Sequence, residues 1–328
     1  MLSRVAENIY WLSRYVERAE NTARLLRVNA QLVLDTPRGV SPDWEGLVEI
    51  AGLGPSFSEC CSGNPGEREV VRYLIGTIDN PGSILYSLAM ARENARTVRE
   101  VMPRSAWEAL NELFWYAKDH AQQGISKKGR DDYLEVIIAG SQRLVGLFGS
   151  VMYRDDAYHF LRIGRNLERA DMTTRILDVR STDLFDEDQI ESRTLDALQW
   201  ISVLKSLSGY QIYRRVYETR VRRAQVLEFL FQDTAFPRAV THCLDAVEES
   251  IGNIGHGGER AMRRLRSVAR KARLLNVEEV RRKELHVFID EIQHGVMQVH
   301  DEIAKSYFLS QYDTSQTQTQ TQAQAQAG

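Results

Sequence analysis

Apolar residues recur at helical spacing almost from the first residue of the chain. Val5, Ile9, Leu12, Val16, Ala19, Ala23 and Leu26 share one stripe of a 100° wheel, which predicts a helix from about Ser3 to Leu34. The opposite side carries Tyr10, Arg14, Glu17, Asn21, Arg24 and Val28, with Arg18 and Glu20 on its flanks. Tyr10 and Val28 are poor choices for a solvated face, so the charged side is expected to be partly enclosed. The stretches TPRGVSPDWEG and GLGPSFSECCSGNPGE break the pattern, with short helices predicted near 42–52 and 67–77. DNPG (79–82) predicts a turn and a new helix carrying SILYSLAMARENARTVREVM. Ser105 and Glu108 have capping-box spacing ahead of a helix to about Ala121. KKGRDD (127–132) reads as a loop before a helix to about Met152, and the same rhythm continues to about Leu309. The fold class that follows is all-α, a multi-helix bundle.

The pattern is written twice. RYVERAENTARLLRV (14–28) returns as RNLERADMTTRILDV (165–179), displaced by 151 positions. In the second copy Ile163, Leu167, Ala170, Thr174 and Leu177 form the stripe, and Leu161, Arg165, Glu168, Met172, Arg175 and Val179 lie opposite. VVRYLIGTIDNPGSI (70–84) aligns without gaps to VLEFLFQDTAFPRAV (226–240), displaced by 156. Two blocks in the same order predict one helical domain over 1–312, built from halves 1–151 and 152–312 stacked about a pseudo-two-fold. Residues 313–328, closing on TQTQTQAQAQAG, are Gln/Thr/Ala-rich and are expected to be disordered.

The charges on the repeated helix admit two readings. One is an architectural ion-pair network pinning helix register. The other is an anion or metal–anion site. It would be lined by Arg14, Arg24, Arg165 and Arg175, with Glu17, Glu20, Glu168 and Asp171 nearby, because guanidinium forks match carboxylate and phosphate oxygens. The carboxylates could hold Mg²⁺ if phosphates completed its shell. A third polar cluster, ARENARTVRE (91–100), places Arg92, Asn94 and Arg96 within two turns. In FPRAV, Pro237 marks a helix start; Arg238 beside it reads as a surface arginine, or as an anion contact.

Composition narrows the partners. Among 328 residues the formal net charge is −3, so no overall bias toward nucleic acid or anionic lipid exists. The basic stretches 214–223 and 258–275 read as solvated faces. Three cysteines, Cys60, Cys61 and Cys243, are no disulfide framework, and the seven histidines lack zinc-ligand spacing. The N-terminus is too charged for a signal peptide, and no run of about 18 apolar residues occurs. A cytoplasmic protein without a membrane or nucleic-acid partner is expected. Motifs for a phosphate loop, a nucleophile elbow or a metalloprotease helix are absent, and no cofactor is identified.

The segments SRVAENIYWLSRYVERAENTARLL, ARENARTVRE, FLRIGRNLERAD and FLFQDTAFPRAV resemble the alpha-E family, bacterial helical proteins formerly grouped as a domain of unknown function. The resemblance covers about residues 1–310. Residues that match its motifs are Arg14, Glu17, Arg18, Glu20, Arg24, Arg92, Asn94, Arg96, Arg165, Glu168, Arg169, Arg175, Pro237 and Arg238. Ser13 replaces a usual glycine, and Ala239 replaces a frequent serine. The resemblance implies association with circularly permuted ATP-grasp proteins, with transglutaminase-like or proteasome-like peptidases as further neighbours. Mg²⁺ and ATP would then enter only through a partner. The expected role is an accessory or substrate-holding component of a peptide- or amide-forming system. A Glu/Asp-based, Mg-dependent enzyme and a structural scaffold are the alternatives.

Overall fold

The computed structural model describes residues 1–35, 44–61, 65–77, 79–182, 190–217 and 220–308. The expected tail, 313–328, lies outside them. The described residues form fifteen α-helices and one 3-10 turn, without a strand. The first half runs α1 (Ser3–Asp35), α2 (Glu45–Ile50), α3 (Gly54–Cys60), α4 (Glu67–Gly76), α5 (Ile84–Thr97), α6 (Arg104–Asp119), α7 (Ala121–Ile125) and α8 (Arg130–Val151). The second runs α9 (Asp156–Thr182), α10 (Ile190–Ser206), α11 (Tyr210–Tyr217), α12 (Arg223–Phe231), α13 (Val240–Ile254), α14 (Glu259–Arg273) and α15 (Arg282–Tyr307).

Two local expectations are corrected. The GLGPSFSECC stretch is not a break: Pro55 sits in the first turn of α3, where its missing N–H costs nothing. The Ser105/Glu108 capping box does not form. Pro103 occupies the cap position with extended backbone, so the helix starts at Arg104, and Glu108 accepts a 2.8 Å bond from that arginine instead.

α1 packs on α9, α5 and α8, and α9 packs on α1, α13 and α15. α6 lies against α5 and α8, and α14 against α13 and α15. Contacts at three levels keep the same order along α1 and α9: Tyr10/Ser13 with Gly164, then Glu17 and Arg18 with Arg169 and Glu168, then Asn29 with Arg180. The two long helices therefore run parallel and in register. Their closest approach needs a residue without a side chain, because a Cβ on Gly164 would collide with the Tyr10 carbonyl and Ser13 Oγ. The other major helices run against them, as Arg27 of α1 pairs with Asp131 at the start of α8, and Tyr10 near the start of α1 meets His300 near the end of α15.

α1 is enclosed on nearly every side. Its apolar stripe is buried through Ile9, Leu12, Val16, Ala19, Ala23 and Leu26, and its charged side through Glu17, Glu20 and Asn21. Burying each large aliphatic side chain contributes about 1.5–3 kcal/mol, whereas burying the carboxylates is tolerable only with partners. α13 ends in a left-handed cap at Gly255, φ 76°, a conformation glycine adopts without a Cβ clash. By length and composition α8 alone among the described helices could cross a membrane. Here Tyr133, Leu134, Ile137, Leu144 and Phe148 are buried in the core of the bundle.

Candidate functional site

The repeated charges meet each other across the α1–α9 seam. Glu168 accepts from Arg14 Nε at 2.7 Å, Arg18 Nε at 2.6 Å and Arg18 Nη2 at 3.2 Å. Reciprocally, Glu17 Oε1 lies 2.9 Å from Arg169 Nε and accepts from Arg238 Nη1 at 2.8 Å. Glu20 accepts from Arg24 Nη2 at 2.5 Å and Arg238 Nη2 at 2.9 Å. Each of the three buried carboxylates is thus held between two guanidinium groups. Asp171 has Arg175 alone, at 2.8 Å, in a less enclosed pair.

The helices dictate this arrangement. In each copy Glu and Arg are adjacent, so Glu17 and Arg18 face different sides of the seam and each reaches the opposite member of the other copy. Burial pushes the Glu168 carboxyl up, but Arg18 and Arg14 outweigh it and bring it down to about 2. Glu17 is likewise lowered, since Arg169 and Arg238 overcome its burial. At neutral pH such carboxylates are ionised, poor proton carriers, and already flanked by two cations each.

Arg238 overturns the surface-arginine reading. It is buried and reaches Glu17, Glu20 and Asn21, the last at 2.7 Å. The loop before α13 is turned inward because Thr173 of α9 donates to the Arg238 carbonyl at 2.9 Å. Pro237 stands three residues before the first helical residue, Val240, and Ala239 is the cap.

Of the sequence candidates, Arg14, Glu17, Arg18, Glu20, Arg24, Arg165, Glu168, Arg169, Asp171, Arg175 and Arg238 gather along the seam. Arg92, Asn94 and Arg96 do not join them. Arg92 donates to Asn111 at 2.6 Å on α6 and lies over Trp107, Phe114 and Trp115, and Arg96 pairs with Glu93 at the surface.

Sequence reasoning missed the neutral partner at the upper end of the seam. Arg14 donates to the Tyr10 hydroxyl at 3.3 Å, and that hydroxyl bonds His300 Nδ1 at 2.8 Å. Burial, with Arg14 nearby, lowers His300 to about 3, so the imidazole is neutral and shares a hydrogen bond with the phenol. His300 follows no recognisable motif; only its place on an apolar face of α15 hinted at burial. The buried Arg180–Asn29 bond, 2.8 Å, was missed too, because polar residues near helix ends read as exposed.

Elsewhere, Asp178, His286 and Asp290 cluster near the surface, with His286 Nδ1 2.6 Å from Asp178. An open cleft of about 660 Å³ between α14 and α15 is lined by Leu274, Leu275, Val280 and Phe288, away from the charged seam.

With this geometry in view, the comparisons with known proteins are informative. A family model described as a predicted alpha-helical domain with a conserved ER motif matches residues 1–308. The chain belongs to the Alpha-E family. Among its Glu-Arg dipeptides, Glu17-Arg18 and Glu168-Arg169 are the two that interlock across the seam. Uncharacterized proteins of Mycobacterium bovis and Mycobacterium tuberculosis are each 24% identical to it over 318 residues. The match covers 89% of this chain but 35% of each relative, so the chain spans about a third of the length of the curated relatives it matches. No solved structure matches.

Proposed function

We propose that this Alpha-E chain is a non-catalytic helical module that docks on an ATP-grasp-type partner in a peptide- or amide-forming system. The observation that carries the non-catalytic part is the saturation of Glu17, Glu20 and Glu168, each by two guanidinium groups. A general base or a Mg²⁺ ligand needs a carboxylate with accessible, uncommitted charge; each of these faces two cations, and the oxygen left without a partner, Glu17 Oε2, is enclosed. The charged seam then serves as a lock that fixes α1 against α9. The accessory role is supported by the longer relatives, in which most of the chain lies outside the matched region. The ATP-grasp partner rests on the family resemblance.

The proposal includes the origin of the two halves, 1–151 and 152–312, by duplication. Thr22 donates to the Gly82 carbonyl as Thr173 does to that of Arg238. Arg27 faces Asp131 and Glu135 where Asp178 faces His286 and Asp290. Thr22/Thr173 and Arg27/Asp178 keep the displacement of 151 and Gly82/Arg238 that of 156, while Asp131/His286 and Glu135/Asp290 lie 155 apart.

The test is a binding titration of the purified chain against an ATP-grasp protein encoded beside it, followed by turnover of that protein with and without the chain. A complex, or a changed rate, is expected. Neither binding nor an effect on turnover refutes the docking role.

A further inference from the structure

The two halves differ at one position that decides the charge balance of the seam. Glu168 takes Arg14 and Arg18 of the first half. The corresponding set for Glu17 would be Arg165 and Arg169. Arg169 is in place at 2.9 Å. The second position, however, is filled by Arg238 at 2.8 Å. Its counterpart in the first half is Gly82, which has no side chain to offer. Arg165 is therefore displaced from the carboxylate that its place in the helix was matched to.

No other described residue replaces that partner. Among the described residues Arg165 has no ion pair or hydrogen bond, and its Nε is enclosed without an acceptor. Arg14 has the Tyr10 hydroxyl and the Trp11 ring as further neighbours. At the equivalent positions Arg165 has Leu161, which accepts nothing, and Arg162, which is like-charged and paired with Glu249 at 2.6 Å. Around Glu17 and Glu20 stand Arg24, Arg165, Arg169 and Arg238, four fixed cations against two anions. Burial and the nearby Arg169 charge lower Arg165 to about 10, the mark of a guanidinium short of negative charge. A half-buried guanidinium with an enclosed, unsatisfied donor is costly unless something supplies an acceptor.

We infer that Arg165 is a receptor for an external oxyanion, the carboxylate or phosphate group of a small molecule, which supplies the negative charge that Glu17 has committed to Arg169 and Arg238. Guanidinium binds either group through parallel N–H donors. This site goes beyond the docking role and requires no partner protein.

The experiment is calorimetry and thermal denaturation of the full chain with inorganic phosphate, and separately with succinate, each against chloride at matched ionic strength. Wild type is expected to show saturable binding and a rise in Tm with at least one of the two anions. A response to phosphate alone assigns a phosphoryl group, and a response to succinate alone assigns a carboxylate. Arg165→Met is expected to weaken that binding by about tenfold or more while its Tm without anion is unchanged or higher, because an uncompensated charge has been removed. A second variant, Arg238→Gly, keeps Arg165 but frees Glu17 to pair with it, and should weaken the same binding. Unchanged affinity in folded Arg165→Met overturns the inference, as does a wild type that responds to neither anion beyond chloride. Either result leaves the docking role standing.

Discussion

Replacing Glu168 with glutamine tests the seam most directly. The amide keeps the shape of the carboxyl but removes the charge that faces Arg14 and Arg18, and its NH₂ points a donor at a guanidinium. Breaking a buried pair from one side costs about 3–5 kcal/mol. The lowering of Glu168 from 4.5 to about 2 gives an independent figure, about 3 kcal/mol at 1.36 kcal/mol per unit. The two agree, so Glu168→Gln is expected to lose about 3–4 kcal/mol at pH 7, read from urea denaturation midpoints at constant m-value. The sign of the pH dependence is fixed as well. A carboxyl lowered on folding stabilises the native state above its unfolded pKa and loses that contribution as pH falls through its folded pKa. The gap between wild type and variant should thus be full above about pH 5 and close toward pH 2. A loss below about 1 kcal/mol, or a gap that does not narrow with acid, refutes the account of Glu168 as a buried, doubly held anion.

Further outcomes follow from single contacts. Ala239→Ser should stabilise by about 1 kcal/mol in the same denaturation assay, because Ala239 has nearly the backbone angles of Ser83, whose Oγ accepts from Tyr86 N at 3.0 Å. Gly164→Ala should destabilise by about 1–3 kcal/mol or more, since its methyl would meet backbone at Tyr10; an unchanged midpoint would show that the helices can part. Tyr10→Phe should cost about 1–3 kcal/mol by stranding His300 Nδ1, while the His300 ring, still buried beside Arg14, should stay neutral at pH 7, measurable by NMR.

The helices were legible where apolar spacing ran long: α1 begins at Ser3 as expected and ends one residue beyond Leu34. The enclosure of its charged side was legible too, from Tyr10 and Val28 standing among the charges. Proline position decided the two local misses, because Pro55 starts a helix and Pro103 moves one. Which arginine meets which carboxylate was not legible. A wheel places Arg165 and Arg14 alike, and only the fold shows that a residue seventy-three positions downstream of Arg165, Arg238, bonds Glu17 instead. Long-range partners such as His300 for Tyr10 leave no trace in local periodicity.

The in-register, parallel contact of α1 with α9 has a consequence for the first half taken by itself. Without residues 152–328, α1 would expose Ala19, Ala23, Glu17, Arg18 and Glu20 together, a surface too apolar and too charged to leave in water. Its charges are self-complementary, Glu17 and Arg18 of one copy matching Arg18 and Glu17 of another about a two-fold axis along the helices, but Ser13 then stands where the seam has Gly164 and holds the two copies further apart. A fragment of residues 1–151 is accordingly expected to self-associate through that face, more loosely than α1 and α9 join in the whole chain.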